Sequence, residues 1–130
     1  MNFEYRKFLN EDLLLVHPSL YKKELNKIFS PTQENTITVL QNEKIVAFLD
    51  CSNRMDRDVA ILSIDLFEVF DPGKGIGSQI IKEIQQREEV TCIEVIPYSP
   101  QSVRFWEKMG LKFIDNETMQ WKKGQANEIT

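Results

Sequence analysis

Residues 71–84 read DPGKGIGSQIIKEI: three glycines, Gly73, Gly75 and Gly77, fall within five positions and lead into an amphipathic segment. Glycine has no Cβ, so it reaches backbone dihedrals closed to other residues and lets another group approach the main chain. Ahead of the stretch lies RDVAILSIDLFEVF, residues 57–70, which is apolar almost throughout and predicts a central strand covered on both faces. Behind it, Ile76, Ile80, Ile81 and Ile84 recur at the spacing of one helix face. Strand, glycine turn and helix in that order commit the chain to an α/β layout. The first amides of the helix have no intrahelical carbonyl and point back toward the turn. With the helix dipole they form an anion site, to which Lys74 adds a full positive charge.

The rest of the chain supplies the remaining elements. FEYRKFL (3–9) predicts a strand, and Asn10 a helix cap with Glu11 and Asp12 favourably placed in the first turn. Pro18 divides that helix from a second ending near Phe29, with His17 at the junction read as a structural residue. TITVLQ and KIVAFLDCS, joined by Asn-Glu, predict a hairpin. TCIEVIP (91–97) predicts a buried strand, and Ser99, Pro100 and Gly110 mark the start and stop of a helix between them. LKFI and TMQWKK predict the closing strands, and Phe8 and Trp121 belong to the core. The expected order is β-α-α-β-β-β-α-β-α-β-β: a mixed, mostly antiparallel sheet flanked by helices. At 130 residues this is one domain, expected over 1–123, with a loose tail at 124–130.

Charge and composition narrow the function. A net charge of −4 argues against a nucleic-acid binder, which needs a basic face. Neither an apolar run of membrane-spanning length, about 18 residues, nor a signal-peptide pattern is seen, so no membrane partner and a cytoplasmic location are expected. Cys51 and Cys92 sit in apolar runs and read as small core residues. A phosphate-binding P-loop would end in Gly-Lys-Ser/Thr, where this chain has Gly77-Ser78-Gln79. A dinucleotide fingerprint would need a third glycine where Ile80 stands, although Glu94 lies near the spacing of a ribose-binding acid.

GKGIGSQII, followed about twenty residues on by SPQSVRFWEKMGLKF, resembles the two signature segments of the GCN5-related N-acetyltransferases. The first is similar to the loop that cradles the pyrophosphate of acetyl coenzyme A. The second is similar to the helix lying along its pantetheine and adenine end. The element order is also similar, so the resemblance covers nearly the whole chain. It implies that acetyl-CoA is the co-substrate, with no metal, and that its acetyl group passes directly to a primary amine. Carried onto this chain, the cofactor contacts are Phe67 and Val69 on the strand, and Gly73, Lys74, Gly75, Ile76, Gly77 and Ser78 in the loop. Ser99, Ser102, Phe105, Trp106 and Lys108 follow on the second helix. Two departures stand out: Pro72 replaces the usual Arg or Gln, and Trp106 replaces a tyrosine often assigned as the acid that protonates the departing thiolate.

An alkylamine is almost wholly protonated at neutral pH, so a base is expected. Glu68 is the preferred candidate for that base, with Asp65 on the opposite face of the same strand and Glu94 on the next. Tyr98 is the candidate replacement acid, and a main-chain amide around Phe67–Val69 the oxyanion donor. Arg104 and Lys108, four apart on one helix face, suit the adenine-side phosphate. An alternative is a coenzyme A-binding relative with weak or no catalysis, acting as a sensor or interaction module. Either a monomer or a homodimer is compatible with the sequence, and the acceptor amine is not written in it.

Overall fold

A computed structural model describes residues 3–12, 36–70 and 73–124. The helices expected beyond Asp12, with His17 and Pro18, lie outside the described residues, as do Asp71, Pro72 and residues 125–130. The described residues form seven strands and two helices. They are β1 (Glu4–Lys7), β2 (Thr36–Gln41), β3 (Lys44–Asp56), β4 (Val59–Val69), α1 (Ile76–Gln85), β5 (Cys92–Val95), α2 (Pro100–Lys108), β6 (Lys112–Phe113) and β7 (Met119–Lys122). Strand order in the sheet is β1-β2-β3-β4-β5-β7-β6. Strands β1, β2 and β3 pair antiparallel, β4 and β5 parallel, and β7 antiparallel to both β5 and β6. The mixed sheet matches the expectation, with β4 at its centre.

Both hairpin turns place two residues at positive φ: Asn42 and Glu43 at 52° and 67°, Arg57 and Asp58 at 49° and 70°. That geometry fits the right-handed twist of the flanking strands. The first turn was legible. The second was not, because Arg-Asp is not a turn pair by composition, and β3 runs four residues past the expected Ser52. The start of β4 also departs from expectation. Val59, Ala60 and Asp65 are exposed, so this strand is not covered on both faces along its length. β5 is shorter than its apolar run, and Ile96 just beyond it is exposed.

Of the described residues, those up to 51 together with 66–70 and 73–77 form one compact unit, and 52–65 with 78–124 another. In the first, Phe48 stacks edge-to-face on Phe8 and on Phe70, with centroids 5.2 and 4.9 Å apart. Each such contact adds about 1 kcal/mol beyond simple burial. Asp12, expected to serve a helix dipole, is instead 1% exposed. Its carboxylate accepts from both Arg6 Nη atoms at 2.9 and 2.8 Å, from the Leu9 amide at 2.9 Å and from Thr38 Oγ1 at 2.7 Å. Burial pushes this carboxyl up, but the Arg6, Leu9 and Thr38 bonds outweigh it and hold it below the usual carboxylate range.

In the second unit, Ile80, Ile81 and Ile84 form the buried stripe of α1 that their spacing predicted. Helix α2 begins and ends where its sequence said. Ser99 Oγ accepts from the Ser102 amide at 3.0 Å, with Pro100 at the first helical position. At the other end Gly110, at φ 92°, donates to the Glu107 carbonyl, and Leu111 donates to that of Trp106. This pair of bonds closes the helix and brings buried Leu111 beside buried Trp106. A Cβ on Gly110 would also meet the Trp121 ring at 3.3 Å.

Candidate functional site

Pairing between β4 and β5 covers three positions, Leu62–Ile93, Ser63–Glu94 and Ile64–Val95. β5 ends there, while β4 continues to Val69. The main chain of β4 beyond Ile64 is therefore past its last β5 partner. From Val69 the chain enters the glycine loop. Gly73 and Gly75 take φ of 91° and 76°, a conformation that favours glycine, and both are exposed together with Lys74. A Cβ at either glycine would meet nothing within 4 Å, so the space beside the loop is open. Neither glycine is needed to relieve a clash within the protein. What they supply is the turn itself, and room beside it.

Gly77 differs from its neighbours. It lies inside α1, whose first turn is Ile76–Gln79 and contains no acidic side chain. A bare, uncharged helix start behind an exposed, lysine-bearing loop is the form an anion site takes. Ile76, Gly77 and Ser78 are each half-buried. Loop and helix start thus combine open space beside two glycines with an exposed lysine and a first helical turn without acidic side chains.

The two acids of β4 face apart. Glu68 is 8% exposed and shares the inward face with Ile64 and Phe70, whereas Asp65 lies exposed on the face of Phe67 and Val69. The structure thus does not bring these two candidates together. Glu94 is committed elsewhere: Arg54 Nη2 donates to its two oxygens at 3.0 and 2.8 Å, and Gln120 Nε2 donates at 3.2 Å. Sequence reading missed Arg54 because it stands 40 residues away, on the part of β3 that was not expected to exist. Tyr98 is 64% exposed.

On α2, Ser102 and Phe105 are half-buried and Lys108 is exposed. Trp106 is only 6% exposed and meets Phe105 edge-on at 4.9 Å. Ser99 spends its hydroxyl on the cap. Arg104 lines a groove together with Phe113 and Glu117. Of the two cysteines, Cys51 is half-buried and Cys92 fully buried, and burial pushes the Cys92 thiol up.

No protein-family model and no curated protein matches the sequence. Solved structures do match by shape. Arabidopsis thaliana Naa50, in complex with the bisubstrate analogue CoA-Ac-MVNAL, superposes with a TM-score of 0.64 at 13% identity, over 94% of this chain and 99% of that one. The Bacillus subtilis N-acetyltransferase YlbP, in complex with coenzyme A, gives 0.61 at 14% over 93% and 97%. Ard1 from Thermoplasma volcanium gives 0.63 at 16% over 94% and 98%. Such identities speak for architecture alone. The chain has the fold of the GCN5-related N-acetyltransferases.

Proposed function

We propose that residues 1–123 form one acetyl-CoA-dependent N-acetyltransferase domain, which passes the acetyl group directly to a primary amine. One observation carries the reading: the parallel β4–β5 pair stops at Ile64–Val95, and β4 runs on into an exposed glycine loop and an uncharged helix start. Two of the three similar structures above hold coenzyme A or an analogue containing it, which supports the same reading. In it, the amides of residues 73–78 and Lys74 hold the pyrophosphate. Phe67 and Val69 flank the pantetheine. Ser99, Ser102, Phe105, Trp106 and Lys108 face the remainder of the coenzyme.

The amine nitrogen attacks the thioester carbonyl, the negative charge developing on oxygen is met by a main-chain amide of β4 beyond Ile64, and the thiolate departs. Glu68 is the preferred base, with Asp65 next. Because indole N–H is no acid at these pH values, Trp106 cannot protonate the leaving group. Departure as the bare thiolate forfeits about 2 kcal/mol at neutral pH, which a solvated thiolate tolerates. Tyr98 is the remaining candidate acid.

Calorimetry with coenzyme A, and thiol release from acetyl-CoA over a panel of amines, test the proposal. Gly77→Asp is the diagnostic variant. An acid in the first turn suits the helix dipole, so the fold should hold, while the new carboxylate repels the pyrophosphate. We expect binding to be lost; unchanged affinity removes the site assignment. The buried indole at Trp106 favours one second reading, a coenzyme A-binding sensor without turnover. Binding with no thiol release over the whole panel selects it.

A further inference from the structure

One face of the sheet carries a polar network to which acetyl transfer, as set out above, gives no part. Arg54 reaches from β3 across β4 to Glu94 on β5, and Gln120 reaches the same carboxylate from β7. Ser63 of β4 is the register partner of Glu94, and its Oγ lies 3.5 Å from Asp65 Oδ1. Arg54, Ser63, Asp65, Glu94 and Gln120 therefore share one side of the sheet. On the other side Ile64, Val95 and Met119 are buried. Asp65 is exposed, and so is 48% of the Arg54 side chain, so a dissolved molecule meets the end of the β4–β5 pairing from the polar side.

Arg54 is held in place but not used up. Its Nη2 donates to both Glu94 oxygens, whereas Nη1 and Nε, with three of the five guanidinium N–H groups, donate to no described residue. Glu94, 15% exposed at its side chain, anchors the guanidinium and is itself steadied by Gln120. A lone surface arginine loses rotamer freedom when it binds a ligand, and this one has already lost it. The planar guanidinium fork matches the geometry of a carboxylate. Lys122, opposite Cys92, and Lys112, opposite Gln120, lie exposed on the same side, in no ion pair with a described residue. Of the acids there, Glu94 is already paired, and Asp56 lies farther off, toward the β3–β4 turn.

We propose that Arg54 binds a carboxylate of the acceptor, and that the acceptor is an amino acid, with its primary amine and its carboxylate a few bonds apart. The inference rests on the acetyl-transfer reading, which sets the reacting carbonyl beyond Ile64. From Glu94 to that point is one or two strand residues, about 3–7 Å, the reach of a short amino acid. Asp65 then faces the ammonium end. Two measurements on the full chain test this. Calorimetry with N-acetylated short-chain amino acids, each beside its carboxamide, reads the carboxylate site without turnover. Thiol release from acetyl-CoA with the free amino acids and their carboxamides reads the same preference in kcat/KM. We expect the carboxylates to be favoured about tenfold or more, as a charged hydrogen bond gives. Arg54→Gln should abolish that preference and leave coenzyme A affinity unchanged. Because Arg54→Gln strands Glu94, the Arg54→Gln/Glu94→Gln double variant serves as the folded control, with a wild-type melting transition and no preference. Carboxylate and carboxamide bound alike by wild type, or neither bound, overturns the proposal, as does a preference that survives in the double variant. Carboxylate binding at Arg54 without thiol release would leave this site standing and remove the transfer reading instead.

Discussion

Asp12 illustrates how one residue can look ordinary in sequence and decide a structure. A carboxylate near a helix start is usually worth a few tenths of a kcal/mol, yet here it is buried and takes four hydrogen bonds from β1, β2 and the chain between. Removing Arg6 would leave that charge buried and half-satisfied, so Arg6→Ala should cost about 3 kcal/mol in urea unfolding. The pH dependence follows from the depressed folded-state value. The unfolded chain takes up a proton first, so this contribution is complete above the ordinary carboxylate range, about pH 4, and is lost as pH falls below it. Asp12→Asn should therefore be clearly less stable than wild type at neutral pH, with the gap closing in acid. A gap independent of pH would mean that packing rather than charge explains the loss. None of this was legible locally, because Thr38 and Asp12 lie 26 positions apart. The glycines were legible, because positive φ is a demand that residue type answers directly.

At the scale of single elements, the turns and caps yield separate predictions. Glu43 sits at φ 67° with a side chain that pays for the left-handed conformation. Glu43→Gly should stabilise the β2–β3 hairpin by about 1 kcal/mol, read from the midpoint of chemical denaturation. The opposite sign is expected at the end of α2. Gly110→Ala meets both the backbone strain at φ 92° and the Trp121 ring at 3.3 Å, and should cost about 2 kcal/mol. At the start of that helix, Ser99→Ala removes a cap bond and should cost about 1 kcal/mol. A larger loss of coenzyme A affinity than of stability in Ser99→Ala would show that the hydroxyl serves the ligand as well as the helix. These boundaries were readable because capping chemistry is local. The β3–β4 turn was not, since Arg57 and Asp58 hold positive φ only because the strands on either side pair.

For the whole molecule, coenzyme A should act as a folding ligand. At a hundred times its Kd it should add about 2.7 kcal/mol and raise the melting temperature, in wild type but not in Gly77→Asp. Added salt should weaken that effect, because an anionic ligand and a chain of charge −4 depend on local cations such as Lys74. A shift indifferent to salt would argue for apolar contacts instead. By itself the sequence determined the kind and order of the elements among the described residues, the glycine turn and the ends of α2, because each follows from dihedral preference, hydrophobic period or a cap within a few residues. Only the tertiary structure decided that β7 inserts between β5 and β6, that Arg54 holds Glu94, and that Glu68 is buried while Asp65 is exposed on the same strand. Those outcomes turn on which distant groups the sheet brings together, and no short stretch of sequence contains both members of such a pair.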